Sequence, residues 1–110
     1  MIIDCHGHYT TAPAAVEAWR KRQIAAIGDS AKAPKRSDLV VSDDELRASL
    51  ENAQRRMQRE RGTDLTIFSP RASAMAHHIG DDAVSREWSA LCNDLVHRVC
   101  RLYPDNFVGV

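Results

Sequence analysis

Residues 62–70 read GTDLTIFSP. Gly62 offers the left-handed stop that ends a helix, Leu65 to Ser69 form a short apolar run with β-branched and aromatic side chains, and Pro70 breaks it. The stretch predicts a helix end, a turn and a buried strand. Working back from it, Ser42 followed by Glu45 is a capping box, and Val41 stands where it packs on Leu46, four positions into the helix. A helix is expected to begin at residue 42 or 43, with Leu46, Leu50, Ala53 and Met57 as its buried stripe up to Gly62. Working forward, a polar loop with two adjacent histidines leads to Val84, Trp88, Leu91, Leu95, Val99 and Leu102, which mark one face of a long helix. Asp81 or Asp82 opens it and Arg98 and Arg101 lie near its end, as the helix dipole favours. After Tyr103 and Pro104, a third strand begins at about Asn106.

The N-terminal part follows the same rhythm. Met1 to Cys5 is an apolar run that reads as a buried strand leading into a loop at His6, Gly7 and His8. From about Pro13 to Ile27, Val16, Trp19, Ile24 and Ile27 fall on one helical face, and Gly28 and Asp29 end that helix. Residues 28–41, rich in Lys, Ala, Pro and Ser, read as a surface loop. Strands alternating with helices longer than ten residues imply parallel βαβ units, in a sheet covered on both faces. The fold class is therefore α/β. A closed eight-stranded barrel takes about 250 residues, so residues 1–110 are expected to be the N-terminal segment of a single (β/α) barrel domain, about three strands with their helices, truncated in the third strand.

Composition narrows the function classes. The chain has 110 residues, 44% hydrophobic and 27% charged, as in an ordinary globular protein. Lys plus Arg and Asp plus Glu balance at 15 each, so no net field draws the chain to nucleic acid or an anionic membrane. Arg55, Arg56, Arg59 and Arg61, with Lys35 and Arg36, imitate a nucleic-acid patch, but Glu45, Glu51 and Glu60 interleave with them and indicate a solvated helix face. The apolar runs are far shorter than the roughly 20 residues that span a bilayer, and no basic region with a following apolar stretch opens the chain. A cytoplasmic location is expected. Cys5, Cys92 and Cys100 lack CxxC spacing, which argues against both a disulfide framework and a cysteine zinc site; they are expected to be reduced and mostly buried. Trp19 and Trp88 lie on apolar stripes and belong to the core, and His97, near a helix end, belongs to the surface.

The chemistry concentrates at the first strand. Alternation along an extended chain sends Ile3 and Cys5 one way and Asp4, His6 and His8 the other, so both imidazoles converge. Two neutral histidines suit zinc or a similar divalent metal, and a catalytic site requires at least one further protein ligand with an open position. Asp4 is placed to orient a ligand from behind. H-x-H also arises by chance on loops; position separates the readings, because active sites of parallel α/β proteins lie at the carboxyl ends of strands. Arg71 follows the second strand on the same edge, where its planar guanidinium suits a substrate carboxylate or, equally, solvent. Ser69 and Ser73 are candidate hydrogen-bonding partners for that substrate, and His77 and His78 candidate proton donors or carboxylate contacts.

At IIDCHGHYTT, and again at DLTIFSPRAS with MAHHIGD, the chain resembles the 4-oxalomesaconate hydratase family of the amidohydrolase superfamily, across all 110 residues. Asp4, His6 and His8 match the superfamily's D-x-H-x-H pattern. The resemblance implies a distorted (β/α)8 barrel and a zinc ion held by His6, His8 and later residues. It also implies a small tricarboxylate keto-acid substrate, met by Arg71, His77 and His78. The reaction it implies is addition of water to a carbon-carbon double bond, giving 4-carboxy-4-hydroxy-2-oxoadipate on the protocatechuate 4,5-cleavage route. The general base is expected beyond Val110, so these residues alone are expected to be inactive. A zinc-dependent decarboxylase of the same superfamily, acting on a carboxylated muconate or aromatic acid, shares the N-terminal pattern. A non-catalytic chain with idle histidines is the reading from another class. Homo-oligomerisation is left open.

Overall fold

In the computed structural model, which describes residues 1–110, the stretch Leu65–Pro70 becomes the central strand of a three-stranded parallel sheet. The strands are β1 (Ile3–Tyr9), β2 (Leu65–Pro70) and β3 (Phe107–Gly109), in spatial order β1-β2-β3. Between β1 and β2 run α1 (Ala14–Ala25), α2 (Asp43–Glu51) and α3 (Gln54–Arg61); between β2 and β3 run the four-residue α4 (Ala72–Met75) and the 21-residue α5 (Asp82–Leu102). The α/β class and the parallel βαβ connections read from the sequence are both present. No helix is long and apolar enough to cross a membrane.

The capping box forms as expected. Ser42 Oγ accepts the Glu45 N–H at 3.1 Å while Glu45 Oε2 accepts the Ser42 N–H at 2.7 Å, and Val41 and Leu46 are both buried. The helix then stops early. Asn52 ends α2, Ala53 leaves helical geometry at φ −128° and ψ −101°, and α3 restarts at Gln54. The expected single stripe is thereby rotated: Leu46 and Leu50 are buried, but Gln54 and Gln58 take the next inward positions and Met57 is exposed. The reason is polar demand at the sheet, since Gln54 Nε2 donates to the His8 carbonyl at 3.2 Å and Gln58 Nε2 donates to Thr66 Oγ1 at 2.8 Å.

α1 also turns from its expected face. Val16, Trp19, Arg20 and Gln23 are buried, at the i, i+3, i+4, i+7 spacing of one stripe, whereas Ile24 and Ile27 are exposed. Two polar side chains inside that stripe disguised it. Trp19 and Trp88 stack at 6.1 Å between α1 and α5, and Phe68 of β2 packs on Tyr9 and Phe107 of the flanking strands at 5.4 and 4.8 Å. This layer, with α2 and α5 closing it, is the core.

Only one face of the sheet is covered, in place of the expected two. Thr66, Phe68 and Phe107 are buried against the helices, while Ile3 and Val108 on the opposite face are exposed and Ile67 half-buried. β1 is correspondingly an open edge strand, and Met1, Ile2 and Ile3 are exposed where the sequence suggested burial. Among the cysteines, which are all free, Cys92 is buried, Cys100 half-buried and Cys5 exposed. Cys5 thus departs from expectation, because the strand that carries it has a solvent-facing side.

Candidate metal and substrate site

β1 does not end before the histidines; it runs through them to Tyr9. Ile3 and Asp4 pair with Leu65 and Thr66, but Gly7, His8 and Tyr9 pair with Phe68, Ser69 and Pro70, so three steps on β1 oppose two on β2. This is a β-bulge at Cys5 and His6, which re-aims side chains near the end of the strand. Gly7 is required there: a Cβ would stand 2.3 Å from Thr66 Cγ2 and 2.9 Å from the Ile67 carbonyl oxygen.

The bulge corrects the simple alternation. Asp4 pairs with Thr66 and His8 with Ser69, so strict alternation between them is broken, although Asp4 still lines the same polar cleft as His6 and His8. Asp4 Oδ1 instead accepts the backbone N–H of His6 at 3.0 Å, holding the bulge and touching neither ring. The imidazoles do converge. Their Nε2 atoms face each other at 2.9 Å, with the rings 80° apart. Two nitrogens bound to one tetrahedral zinc at 2.0–2.1 Å stand about 3.3 Å apart, so this pair needs to open only slightly to chelate an ion.

The tautomer of His8 suits that role. Its Nδ1 lies 3.1 Å from the Pro70 carbonyl, which can only accept, and 2.7 Å from Ser69 Oγ. The Ser69 hydroxyl in turn donates to the Gly7 carbonyl at 3.1 Å, which leaves its lone pairs to His8. The proton of neutral His8 therefore sits on Nδ1, and Nε2 presents its lone pair. The donor set fits a divalent ion in part. No group of three or more His, Cys, Asp and Glu side chains comes together in these 110 residues, so His6 and His8 supply two of the donors that a metal site requires.

The histidines open on a polar cleft of about 250 Å³ shared with Gln54, Gln58, Arg61 and Thr63. Arg71 and Ser73 line a different hollow, of about 370 Å³, walled by Tyr9, Val16, Arg20, Trp88 and Cys92. Arg71 is exposed, its Nε donating to Ser73 Oγ at 3.0 Å. The link between the two regions is Pro70, whose carbonyl touches His8 and whose successor is Arg71. His77 and His78 are brought to neither: both are exposed, and His77 Nδ1 pairs with Ser85 Oγ of α5 at 2.6 Å.

Two groups beside the site escaped the sequence reading. Gln54 accepts from the Thr11 hydroxyl at 2.9 Å and donates to the His8 carbonyl, tying α3 to the end of β1. Arg20 lies buried beside the Arg71 hollow, stacked 5.0 Å from the Trp88 ring centre, and burial lowers its pKa from the ordinary value. Its signal was present in the spacing of Val16, Trp19, Arg20 and Gln23. Burial also pushes the Cys92 thiol up to about 12, against the pull of Arg20, so Cys92 is an apolar wall and not a nucleophile.

No family model matches the chain. Over all 110 residues it is 52% identical to 2-keto-4-carboxy-3-hexenedioate hydratase from Sphingobium sp., of which it spans 32%. Its fold superposes on the crystal structure of 4-oxalomesaconate hydratase from Rhodopseudomonas palustris with a TM-score of 0.91 and 58% identity, over the whole of this chain and 32% of that one. The resemblance is to 4-oxalomesaconate hydratase. It extends from end to end of the chain, and the chain spans about a third of the length of each hydratase it matches. The three-stranded sheet is thus the counterpart of one part of a larger α/β hydratase structure.

Proposed function

We propose that residues 1–110 form the N-terminal segment of a zinc-dependent hydratase, a cytoplasmic lyase built on a distorted (β/α)8 barrel. In the complete protein it adds water to the double bond of 4-oxalomesaconate, giving 4-carboxy-4-hydroxy-2-oxoadipate in the protocatechuate 4,5-cleavage route. The observation that carries this is identity above one half to two hydratases along the entire chain. The facing Nε2 atoms of His6 and His8, with His8 held as the metal-ready tautomer, support the metal. The uncovered sheet face, where Ile3 and Val108 stand exposed, supports a barrel whose remaining strands complete the layer.

In this reading His6 and His8 hold the ion together with residues outside this segment. A bound zinc supplies Lewis-acid polarisation and lowers the pKa of water. The chain's own part is to orient. Ser69 and the Pro70 carbonyl fix the His8 ring, Asp4 fixes the His6 backbone, and Arg71 with Ser73 offers a planar cation and a hydroxyl to a substrate carboxylate. His77 and His78, which stand apart from both hollows, enter only if the loop that bears them folds over the substrate.

The test is hydration of 4-oxalomesaconate by the complete protein, with zinc measured on the same preparation. His6→Ala and His8→Ala should each lose most of the metal and nearly all turnover, because an incomplete polyhedron binds weakly. Full zinc occupancy and normal turnover in both variants would remove the metal assignment. A wild type without hydratase activity would remove the function.

A further inference from the structure

We propose that Arg20 of α1 is a positioning residue for Arg71, acting by clamping the far end of α4 so that the residue at its near end is held against the substrate hollow. The clamp is read from contacts alone; what Arg71 binds rests on the hydratase reading above.

The starting observation is a guanidinium that is 94% buried, since Arg20 is only 6% exposed, and that meets no carboxylate. A buried cation is costly unless its protons are taken up. Here Nη1 donates to Gln23 Oε1 at 2.6 Å, and Nη2 is shared between the carbonyls of Met75 and Ala76 at 3.4 Å each. Those carbonyls belong to the end of α4, where main-chain donors run out and partial negative charge collects. Trp88 takes the carbonyl before them, its Nε1 donating to Ala74 at 3.0 Å while its ring lies 5.0 Å from the Arg20 guanidinium. Three successive carbonyls, of residues 74, 75 and 76, are therefore gripped by side chains of α1 and α5.

The grip has something to hold. Ala76 is the one non-glycine residue with positive φ, at +43°, a conformation of about 1–2 kcal/mol above the right-handed well that persists only where neighbours enforce it. Arg20 is itself aimed by Gln23, whose Nε2 donates to the Val84 carbonyl at 2.9 Å in the first turn of α5. At the other end of α4 stands Arg71, one residue before Ala72, and Arg71 and Arg20 line the same hollow. With α4 only four residues long, fixing its last carbonyls fixes its first residue within one turn. Both terminal nitrogens of Arg20 are engaged by Gln23, Met75 and Ala76, which directs the guanidinium at the end of α4.

The experiment uses the complete protein with Arg20→Met, Arg20→Lys and Trp88→Phe, the last removing the N–H to Ala74 together with one ring of the indole that packs on Trp19 and Arg20. Amide hydrogen exchange over residues 72–80, zinc content, kcat and KM are measured on each. Arg20→Met should speed exchange across 72–80 and raise KM about tenfold to a hundredfold, with kcat and zinc close to wild type, as expected when binding geometry alone is loosened. Arg20→Lys should recover part of the KM, since it keeps the charge and loses the fork. Trp88→Phe should loosen the same segment by less, and gives a second reading if Arg20→Met fails to fold. Unchanged exchange in 72–80 would overturn the clamp. Faster exchange with unchanged KM, or a fall in kcat and zinc in parallel, would overturn the positioning role. A wild type that does not turn over 4-oxalomesaconate would defeat the hydratase reading instead, and the exchange comparison would still decide the clamp.

Discussion

A single serine, Ser69, helps to fix the orientation and tautomer of the His8 ring. Ser69 Oγ takes the Nδ1 proton of His8 and passes its own to Gly7, so Ser69→Ala leaves Nδ1 with the Pro70 carbonyl alone. Zinc affinity of the complete protein should fall roughly tenfold to a hundredfold, the usual cost of losing a partner behind a ligand; a zinc-buffered titration reads this, and unchanged affinity would show that Pro70 suffices. Arg71 poses the matching question for substrate. If its fork grips a carboxylate, Arg71→Lys should lower kcat/KM and Arg71→Met should lower it further. A hydrogen bond to a charged group contributes about 1.5–3 kcal/mol, or roughly tenfold to a hundredfold in kcat/KM. Zinc content should stay normal in both. Unaltered kcat/KM in Arg71→Met would move the carboxylate site to His77, His78 or elsewhere in the complete protein.

Among the elements, α2 is the one whose stability should follow pH. Glu45 is held below the usual carboxylate range by the Ser42 N–H and hydroxyl, and Asp43 by the hydrogen bond from Arg98. Both carboxylates favour the folded state when ionised. Their contribution is complete above the unfolded value of about 4.3 for Glu and 3.9 for Asp, and is lost as pH falls through the lower folded values. Both groups are exposed, so the effect is modest and salt-sensitive. Glu45→Gln should lower the melting temperature modestly at neutral pH and converge with wild type in acid, which flattens the acid limb between about pH 5 and 2; an acid limb identical to wild type would mean that the charge on the box contributes nothing. The same element shows why the helix after Ser42 breaks. A continuous helix through Ala53 would place Met57 inward, whereas the restart at Gln54 delivers two glutamines to the His8 carbonyl and Thr66 hydroxyl, and buried acceptors at a sheet edge must be satisfied.

The molecule as a whole is elongated. Its extents are 49 × 26 × 18 Å and its radius of gyration is 14.9 Å, against about 13 Å for a compact domain of this length. Only 21 of 110 residues are buried, which follows from one layer of helices on one face of the sheet. Ile3 and Val108 stand exposed on the other face, and β1 and β3 offer unpaired edges. Residues 1–110 expressed alone should therefore associate or remain molten, since an open apolar edge templates pairing. Size-exclusion chromatography with a thermal melt decides it. A monodisperse monomer with one cooperative transition would mark a self-sufficient domain and count against the barrel.

The sequence by itself determined what local chemistry controls. Ser42 with Glu45, Gly62 after α3, Pro70 at the end of β2 and the Trp88 to Val99 stripe each announce an element, because caps, left-handed stops and periodic burial act within a few residues. It also determined that His6 and His8 meet, since neighbours on one strand are few bonds apart. The tertiary structure decided the rest. The bulge between Asp4 and Gly7 exists only because β2 pairs with β1, and the His8 ring is oriented by Ser69 and Pro70, some 60 positions away in the chain. The inward turn of Arg20 depends on Trp88 and the carbonyls of Met75 and Ala76. In a string of residues Arg20 is a charge with no visible partner. Only the packed α1–α5 interface supplies the ring and the carbonyl oxygens that make its burial favourable.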